Sequence, residues 1–331
     1  MTGSIIHGEL QESYEQLSFS GGGLRCFWQG GALDVLRTVS EIVPERIACS
    51  SGGALAGACF VADRGSKLVE VFCDRLEEHD HNVELGNGKC PAEVTPHQQI
   101  YERVVDEVID AEAEEAVADG PAFEILLARP PSWLPVKVAA AVTMILYEAD
   151  QQLRSTPHGR YAKAAGAKEM RIDAREAARQ GKLKELVCQA ATIPPVFRMR
   201  EWNGRLVMDA GTVDNAPLPR PNSGATLILL TRDYRNLPDV KGRTYLKPSS
   251  ATPADKIDFT DPNALRATYQ QGKKDIEMLL KSSKQRKRAR CATQPIPRAH
   301  KPSLRSAAQH LGWSHNTMLQ QTLNCQELSS E

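Results

Sequence analysis

The chain has 331 residues, of which 41% are hydrophobic and 25% are charged. This composition is typical of a folded globular protein and excludes disorder of the whole chain. The 41 Lys and Arg balance the 41 Asp and Glu, so no overall charge attracts nucleic acid and no nucleic-acid partner is predicted. Residues 1–16 lack the basic flank and apolar run of a secretory signal, and the eight cysteines include no C-x-x-C pair. We therefore predict a cytoplasmic protein with reduced thiols.

The first predicted element is a short strand, residues 16–20, which runs straight into Gly21, Gly22 and Gly23. Apolar residues at helical spacing then predict a helix over residues 29–40. Backbone N–H groups of a glycine loop at the start of a helix are suited to binding an oxyanion. The loop lacks the spacing of a P-loop and of a dinucleotide-binding fingerprint, so nucleotide binding becomes a minor option.

The same order of strand, sharp turn and helix recurs, with a strand at residues 46–49 and an alanine-rich helix at residues 54–62. Two such units predict an α/β sheet with crossover helices, whose ligand sites lie at the carboxyl ends of the strands. The later predicted strands are residues 123–128, 206–208, 227–231 and 244–247. The later predicted helices are residues 135–153, 182–191 and 263–281. These elements favour one continuous domain, residues 1–280, over two.

The second turn carries the candidate nucleophile. A G-x-S-x-G elbow turns sharply from strand to helix and presents its serine, so the residues two before and two after the serine must be small. The match centres on Ser51, with Cys49 in place of the first glycine. A register centred on Ser50 is sterically possible, but Ser51 is preferred because the helix then opens directly after the turn. The simpler alternative is a serine–glycine turn that only caps the helix.

The end of the chain changes in character. Residues 281–331 are predicted to form a basic, proline-containing tail with weak order. Residues 281–290 contain six basic residues and no acid. The simpler interpretation is a solvated segment, and the alternative is attraction to an anionic lipid surface. The tail is therefore the candidate for peripheral membrane contact.

Three motifs stand in a fixed order: G-G-G-x-R at residues 21–25, the serine elbow at 49–53, and an Asp-Ala-Gly element at 209–211. In this combination the sequence resembles the patatin-like phospholipase family, whose members carry G-G-G-x-R, G-x-S-x-G and D-G-[GA]. Ala210 replaces a glycine of the third element. Four residues in and after that element fit the family pattern: Asp209, Gly211, Asn215 and Pro217. The resemblance covers roughly residues 15–280.

The resemblance implies a three-layer α/β/α sandwich that hydrolyses acyl esters of lipids by a Ser-Asp dyad, with no cofactor or metal. Ser51 would be the nucleophile and Asp209 its partner. The oxyanion hole is assigned to the glycine loop and its arginine: Gly21, Gly22, Gly23 and Arg25. For Arg25, holding the loop, meeting a phosphate and forming a structural ion pair all stay open.

The distribution of histidines favours a dyad independently of the resemblance. A Ser-His hydrolase of the usual α/β-hydrolase order needs a histidine after its acid. The histidines after Asp209 lie in the predicted tail. None of the histidines before it, such as His158, stands in a motif at the end of a predicted strand. An aspartate that accepts the serine proton itself needs a pKa raised by burial, so a largely apolar site is expected. Asp214 is a rival acid.

Two departures from the family pattern motivate a second function hypothesis. Cys49 and Ala210 both replace glycines, which is consistent with a catalytically silent protein that binds lipid or a partner.

Phe27 and Trp28, just after the glycine loop, are candidates for an acyl pocket, although aromatics at the start of a helix are more often core residues.

The sequence offers one candidate zinc site, formed by three residues: His79, His81 and Cys90. Structural zinc sites use closely paired ligands, which this segment lacks. A charged surface loop is the preferred interpretation of the segment.

Overall fold

A mixed β-sheet organises the fold. The computed structural model describes residues 4–78 and 95–293, and in this part of the chain nine strands form the sheet. They are β1 Ile6–His7, β2 Gln16–Phe19, β3 Arg46–Ser50, β4 Ala122–Arg129, β5 Lys168–Asp173, β6 Arg200–Trp202, β7 Arg205–Asp209, β8 Thr226–Leu229 and β9 Arg243–Leu246.

Helices connect and cover these strands. In the same described residues they are α1 Phe27–Leu36, α2 Gly53–Val61, α3 Gly65–Glu77, α4 Pro96–Val108, α5 Ala111–Asp119, α6 Val136–Arg154, α7 Tyr161–Ala164, α8 Ala174–Arg179, α9 Leu183–Ala190 and α10 Pro262–Thr293. Two short 3₁₀ helices cover Gly23–Cys26 and Ala210–Thr212. No helix in the described ranges is long and apolar enough to cross a membrane.

The centre of the sheet is parallel. Strands β9, β8, β2, β3 and β4 lie side by side in that order and all run in the same direction. All four residues of β2 are buried, as expected for a parallel strand covered on both faces. The carboxyl ends of β2, β3 and β8 therefore meet at one edge, where the glycine loop and the serine turn begin.

Alternation along β4 shows that both faces of the sheet are covered. Ile125 and Leu127 belong to the large apolar cluster that includes side chains of α1 to α4. Leu126 and Ala128 belong to a second cluster, which contains Ala140 of α6. Successive side chains of a strand point to opposite faces. The fold is therefore a three-layer α/β/α sandwich, as the family resemblance implied.

One edge of β4 brings two strands of the candidate site into line. Strand β5 runs along one side of β4 over residues 124–129, so β3 and β7 share the other side. The pairing with β3 ends where Ser50 lies opposite Leu126, and that with β7 takes over where Asp209 lies opposite Leu127. The residue after Ser50 therefore leaves the sheet beside Asp209.

The last helix is longer than the sequence predicted. Helix α10 continues through the basic residues 281–290 to Thr293, where the sequence was interpreted as a weakly ordered segment. Lysine, arginine, glutamine and alanine all have high helix propensity, which explains the continuation. Residues 4–78 and 95–284 belong to one compact unit that contains the sheet; of the second unit, residues 285–331, the structure describes only the helical residues 285–293.

Candidate active site

The side chains of Ser51 and Asp209 meet at the carboxyl edge of the sheet. Ser51 Oγ donates a hydrogen bond of 2.7 Å to Asp209 Oδ2, across 158 positions of sequence. Both residues are 2% exposed. Ser50 lies within β3, and its buried hydroxyl has no hydrogen-bond partner among the described residues. The geometry thus brings Ser51, rather than Ser50, to the acid.

The backbone at Ser51 has the form of a nucleophile elbow. Its φ of 55° lies in the left-handed region, which is costly for a residue with a Cβ and is often found at functional sites. Helix α2 begins two residues later, and a Cβ on Gly53 would lie 2.6 Å from the carbonyl oxygen of Phe19. Only glycine fits at position 53, so the requirement for small residues around the serine holds there.

Cys49 is accommodated where the family pattern has glycine. Its side chain is fully buried, and a Cβ on Gly57 of α2 would lie 2.5 Å from its Sγ. Gly57 therefore supplies the space that the thiol occupies. Ala210 is also fully buried, and its backbone is not in the left-handed region, so alanine is tolerated there. Neither departure distorts the turn.

Asp209 is poised as a base. Burial raises the pKa of its carboxyl, and this outweighs the neighbouring Lys256 ammonium, which lowers it. The Gly211 N–H donates a hydrogen bond of 2.7 Å to Oδ1, which leaves Oδ2 to face the serine. The backbone N–H of Asp209 donates to the Thr192 carbonyl at 2.8 Å. A fixed carboxylate with a raised pKa is suited to accepting a proton from a hydroxyl.

The glycine loop is held against the serine by residues of helix α1 and of two loops that are distant in sequence. A Cβ on Gly21 would lie 2.7 Å from the Cβ of Ser51, so the loop and the elbow touch. The Gly21 N–H donates to the Asn215 carbonyl at 2.8 Å, and the Gly21 carbonyl accepts from Thr231 Oγ1 at 2.7 Å and from Asn215 Nδ2 at 3.3 Å. Gln29 Nε2 donates to the Ser20 carbonyl at 2.9 Å.

These contacts sort the four residues that the sequence assigned to an oxyanion hole. The N–H of Gly21 is already engaged, so it positions the loop. Arg25 holds the loop, because its Nε donates to the Gly22 carbonyl at 3.3 Å and its backbone N–H to the same oxygen at 3.2 Å. Gly22 and Gly23 are left as the candidate donors to an oxyanion.

Replacing Gly23 by alanine is expected to lower the free energy of unfolding by more than about 3 kcal/mol, because strain in the left-handed region alone costs roughly 1–3 kcal/mol. Gly23 has a φ of +57°, and an added Cβ would overlap the backbone carbonyl oxygen of Lys256. Gly181→Ala is the matched control, because Gly181 has a φ of +65° with nothing within 4 Å of an added Cβ. Urea unfolding of both variants measures the difference. Equal losses in the two variants would refute a special role for the Gly23 contact.

An apolar cavity opens beside Ser51. Its volume is about 50 Å³, and its lining includes Ser51, Gly23 and the side chains of Leu24, Phe27, Leu55 and Phe259. Phe27 thus contributes to the cavity. Trp28 does not: it is fully buried, and its Nε1 donates to Asp275 at 2.8 Å, so it is a core residue. The apolar surroundings match the expectation for a dyad.

Two cations at this edge were not singled out by the sequence. Lys256 lines the cavity, and its Nζ lies 5.9 Å from the centre of the Tyr147 ring. Arg232 donates to Tyr147 Oη at 3.2 Å and to Gln151. Neither cation forms a salt bridge with another residue of the described ranges. No local motif marks them, because they follow strands β8 and β9 in ordinary loops.

The rival residues are placed elsewhere. Asp214 forms no hydrogen bond with the hydroxyl of Ser51 or Ser50. Its Oδ1 lies 2.9 Å from His158 Nδ1. Ser51 pairs with Asp209 instead. Within the described ranges no group of three or more metal-binding side chains occurs. The zinc site weighed at His79, His81 and Cys90 lies outside the described residues.

A comparison with models of known protein families identifies the family of this chain. The model of the patatin-like phospholipase family matches residues 17–220, which include the glycine loop, Ser51 and Asp209. The crystal structure of VipD from Legionella pneumophila is similar with a TM-score of 0.42 and 10% sequence identity, over 84% of this chain and 68% of that one. No curated protein matches the chain.

Proposed function

The chain belongs to the patatin-like phospholipase family, and on that premise we propose that it is a lipid acyl hydrolase of the phospholipase A or lysophospholipase type. Ser51 is the nucleophile and Asp209 the general base. The observation that carries the proposal is the 2.7 Å hydrogen bond between these two buried side chains. A family match alone leaves the reaction open, whereas this contact pairs a nucleophile with a base whose pKa is raised by burial.

In the proposed reaction, Ser51 Oγ attacks the ester carbonyl carbon while its proton passes to Asp209 Oδ2. The carbonyl oxygen becomes an oxyanion, which the N–H groups of Gly22 and Gly23 stabilise. The C–O bond to the alcohol breaks, and the alcohol leaves with the proton from Asp209. Water then attacks the acyl-Ser51 ester, with Asp209 again accepting a proton. The free acid leaves and Ser51 regains its hydrogen.

Two electrostatic features favour the charged states of this sequence. Helix α2 begins at Gly53, so its positive end points at the attacked carbonyl. Lys256 lowers the pKa of Asp209 against the effect of burial, which favours the ionised carboxylate that accepts the serine proton. The cavity beside Ser51 places mainly apolar side chains next to the reacting carbonyl. Together they stabilise an oxyanion more than a neutral ester.

Arg232 and Lys256, which form no salt bridge with a residue of the described ranges, support a substrate with a negative charge near the ester, as in a phospholipid. We expect release of fatty acid from phosphatidylcholine or lysophosphatidylcholine to exceed release from triacylglycerol by at least about tenfold, since a charge-assisted hydrogen bond contributes about 1.5–3 kcal/mol. Fatty-acid release from mixed micelles measures this. Faster hydrolysis of triacylglycerol would contradict the phospholipase assignment while leaving a serine hydrolase.

A substitution of His158 tests whether Asp209 acts as the general base without help from a histidine. We expect His158→Gln to keep kcat/KM within about threefold, because His158 is paired with Asp214 and not with the dyad, whereas loss of a general base costs about 10²–10⁴-fold. Steady-state hydrolysis of a soluble ester is the measurement. A loss within that larger range would show that a histidine takes part.

A catalytically silent lipid-binding protein is the second hypothesis from the sequence. This hypothesis rested on the replacement of two family glycines by Cys49 and Ala210. However, Gly57 makes room for Cys49, and the backbone of Ala210 is not left-handed. The geometry therefore favours the enzyme. Peripheral membrane contact by residues 281–331 and a cytoplasmic location stay predictions, and the tail beyond residue 293 lies outside the described residues.

A further inference from the structure

A second cavity adjoins the one beside Ser51. The two share Cys26, Phe27, Ala56 and Leu68 as lining residues, so these four side chains form the wall between them. The second cavity has a volume of about 150 Å³, against about 50 Å³ for the first. Since one water-sized group needs about 10–15 Å³, the first cavity holds only a few carbon atoms.

Helix α2 runs along both cavities. Leu55 lines the first, Ala56 lines both, and Cys59 and Phe60 line the second. From Ser51 to Cys59 a helix rises by about 12 Å. An extended chain of single bonds advances roughly 1.2 Å per bond, so about ten bonds span this distance. The second cavity thus begins within reach of a medium-length alkyl chain attached to Ser51.

The interior of the second cavity is suited to hydrocarbon. Leu33, Cys59 and Phe19 are at most 3% exposed and line it. Burial raises the pKa of the Cys59 and Cys26 thiols to about 12, so both are neutral at physiological pH and behave as small apolar groups.

The polar groups at the rim of the second cavity are occupied with one another. Arg37 pairs with Asp63 at 3.3 Å and lies over the Phe60 ring at 4.1 Å. Lys273 pairs with Asp34 at 3.1 Å, and the Tyr269 hydroxyl donates to the same carboxylate. These ion pairs leave the apolar inner wall as the surface that a ligand would contact.

We propose that the second cavity is the site for the distal part of a long acyl chain, reached from the Ser51 cavity past Ala56 and Leu68. The two cavities together then set the acyl-chain length that the protein prefers. The attachment of the chain at Ser51 rests on the proposed function, but the binding site for the alkyl tail does not. Binding is therefore measured in Ser51→Ala protein, without any turnover.

The experiment compares octanoate, laurate and palmitate by calorimetric titration of Ser51→Ala protein. Each buried methylene contributes about fourfold in affinity, so affinity is expected to rise from octanoate through laurate to palmitate. In the same background Ser66→Trp fills the second cavity from its exposed rim. Octanoate affinity is then expected to change least, while palmitate affinity falls by at least tenfold. Glu70→Trp, exposed one turn further along α3 and not lining the cavity, is the control.

A second variant acts on the passage itself. Ala56→Phe narrows it, and the longest chain is again expected to lose the most affinity. If laurate and palmitate each bound the Ser66→Trp protein as tightly as the Glu70→Trp protein, the proposal would be overturned. An affinity that stops rising at octanoate would also overturn it. A protein that binds long chains in this pattern but hydrolyses no ester would overturn the proposed function and leave the tail site standing.

Discussion

Replacing Ser51 by alanine is expected to lower kcat/KM for ester hydrolysis by about 10⁴-fold or more, with little change in folding. The hydroxyl is the proposed nucleophile, and loss of a nucleophilic serine removes nearly all chemical catalysis. The side chain is 2% exposed and has Asp209 as its hydrogen-bond partner. Hydrolysis of a soluble ester at matched, folded protein concentration measures the change.

Ser50→Ala is the matched control for this variant. Ser50 is the preceding residue, is fully buried, and its hydroxyl has no partner in the described part of the chain. Its removal is expected to change kcat/KM by less than about threefold, because no interaction is lost. If Ser50→Ala were inactive and Ser51→Ala active, the elbow would be shifted by one residue.

Replacing Asp209 by asparagine is expected to remove at least about 10³-fold of activity, since an amide cannot accept the serine proton. Both hydrogen bonds survive in form: the amide oxygen accepts from the Gly211 N–H, and the amide nitrogen donates to Ser51 Oγ. Geometry is thus kept while the base is lost. Activity retained within tenfold would show that another group takes the proton.

The same variant is expected to be more stable than the parent at neutral pH, by about 1 kcal/mol. Burial raises the pKa of Asp209 in the folded state, so the folded protein holds its proton to higher pH than the unfolded chain. Stability therefore falls as pH rises from the unfolded pKa through the folded pKa. Asparagine has no such penalty. Urea unfolding at neutral pH measures the difference, and lower stability of the variant would contradict the assigned cause.

The pH dependence of activity has the same origin. The base form of Asp209 is needed, so kcat/KM in the wild type is expected to fall as pH drops through the raised pKa of the carboxyl. The fall should begin at a higher pH than an ordinary aspartate, with its pKa near 3.8, would give. A profile that stays flat down to the ordinary aspartate range would indicate an unperturbed base.

The sequence predicted the sheet best where strands are apolar and buried. The strands at residues 16–20, 46–49 and 123–128 were each found within a residue or two of their predicted bounds, because parallel strands covered on both faces consist of apolar runs. Strand β5 was missed because it is an edge strand, whose residues Lys168–Asp173 are mostly charged. Edge strands commonly carry charges, so no apolar pattern marks them.

The candidate site likewise contains some residues that the sequence predicts and others that it does not. Ser51, Asp209 and the glycine loop stand in local motifs, so their order along the chain predicted them. Thr231 fixes the loop from 210 positions away, and no local pattern encodes such a contact. The two neighbouring cavities likewise depend on how α1, α2 and α3 pack, which follows from tertiary structure alone.

The most direct test of the account is reaction of the folded protein with a fluorophosphonate, followed by mass spectrometry of the digested product. An activated serine displaces fluoride and retains the phosphonyl group, so the label reports nucleophilicity without any assumption about the lipid. We expect a single adduct on Ser51, absent from Ser51→Ala and much slower to form in Asp209→Asn. An adduct on Ser50, or none on the folded wild type, would contradict a Ser51–Asp209 dyad.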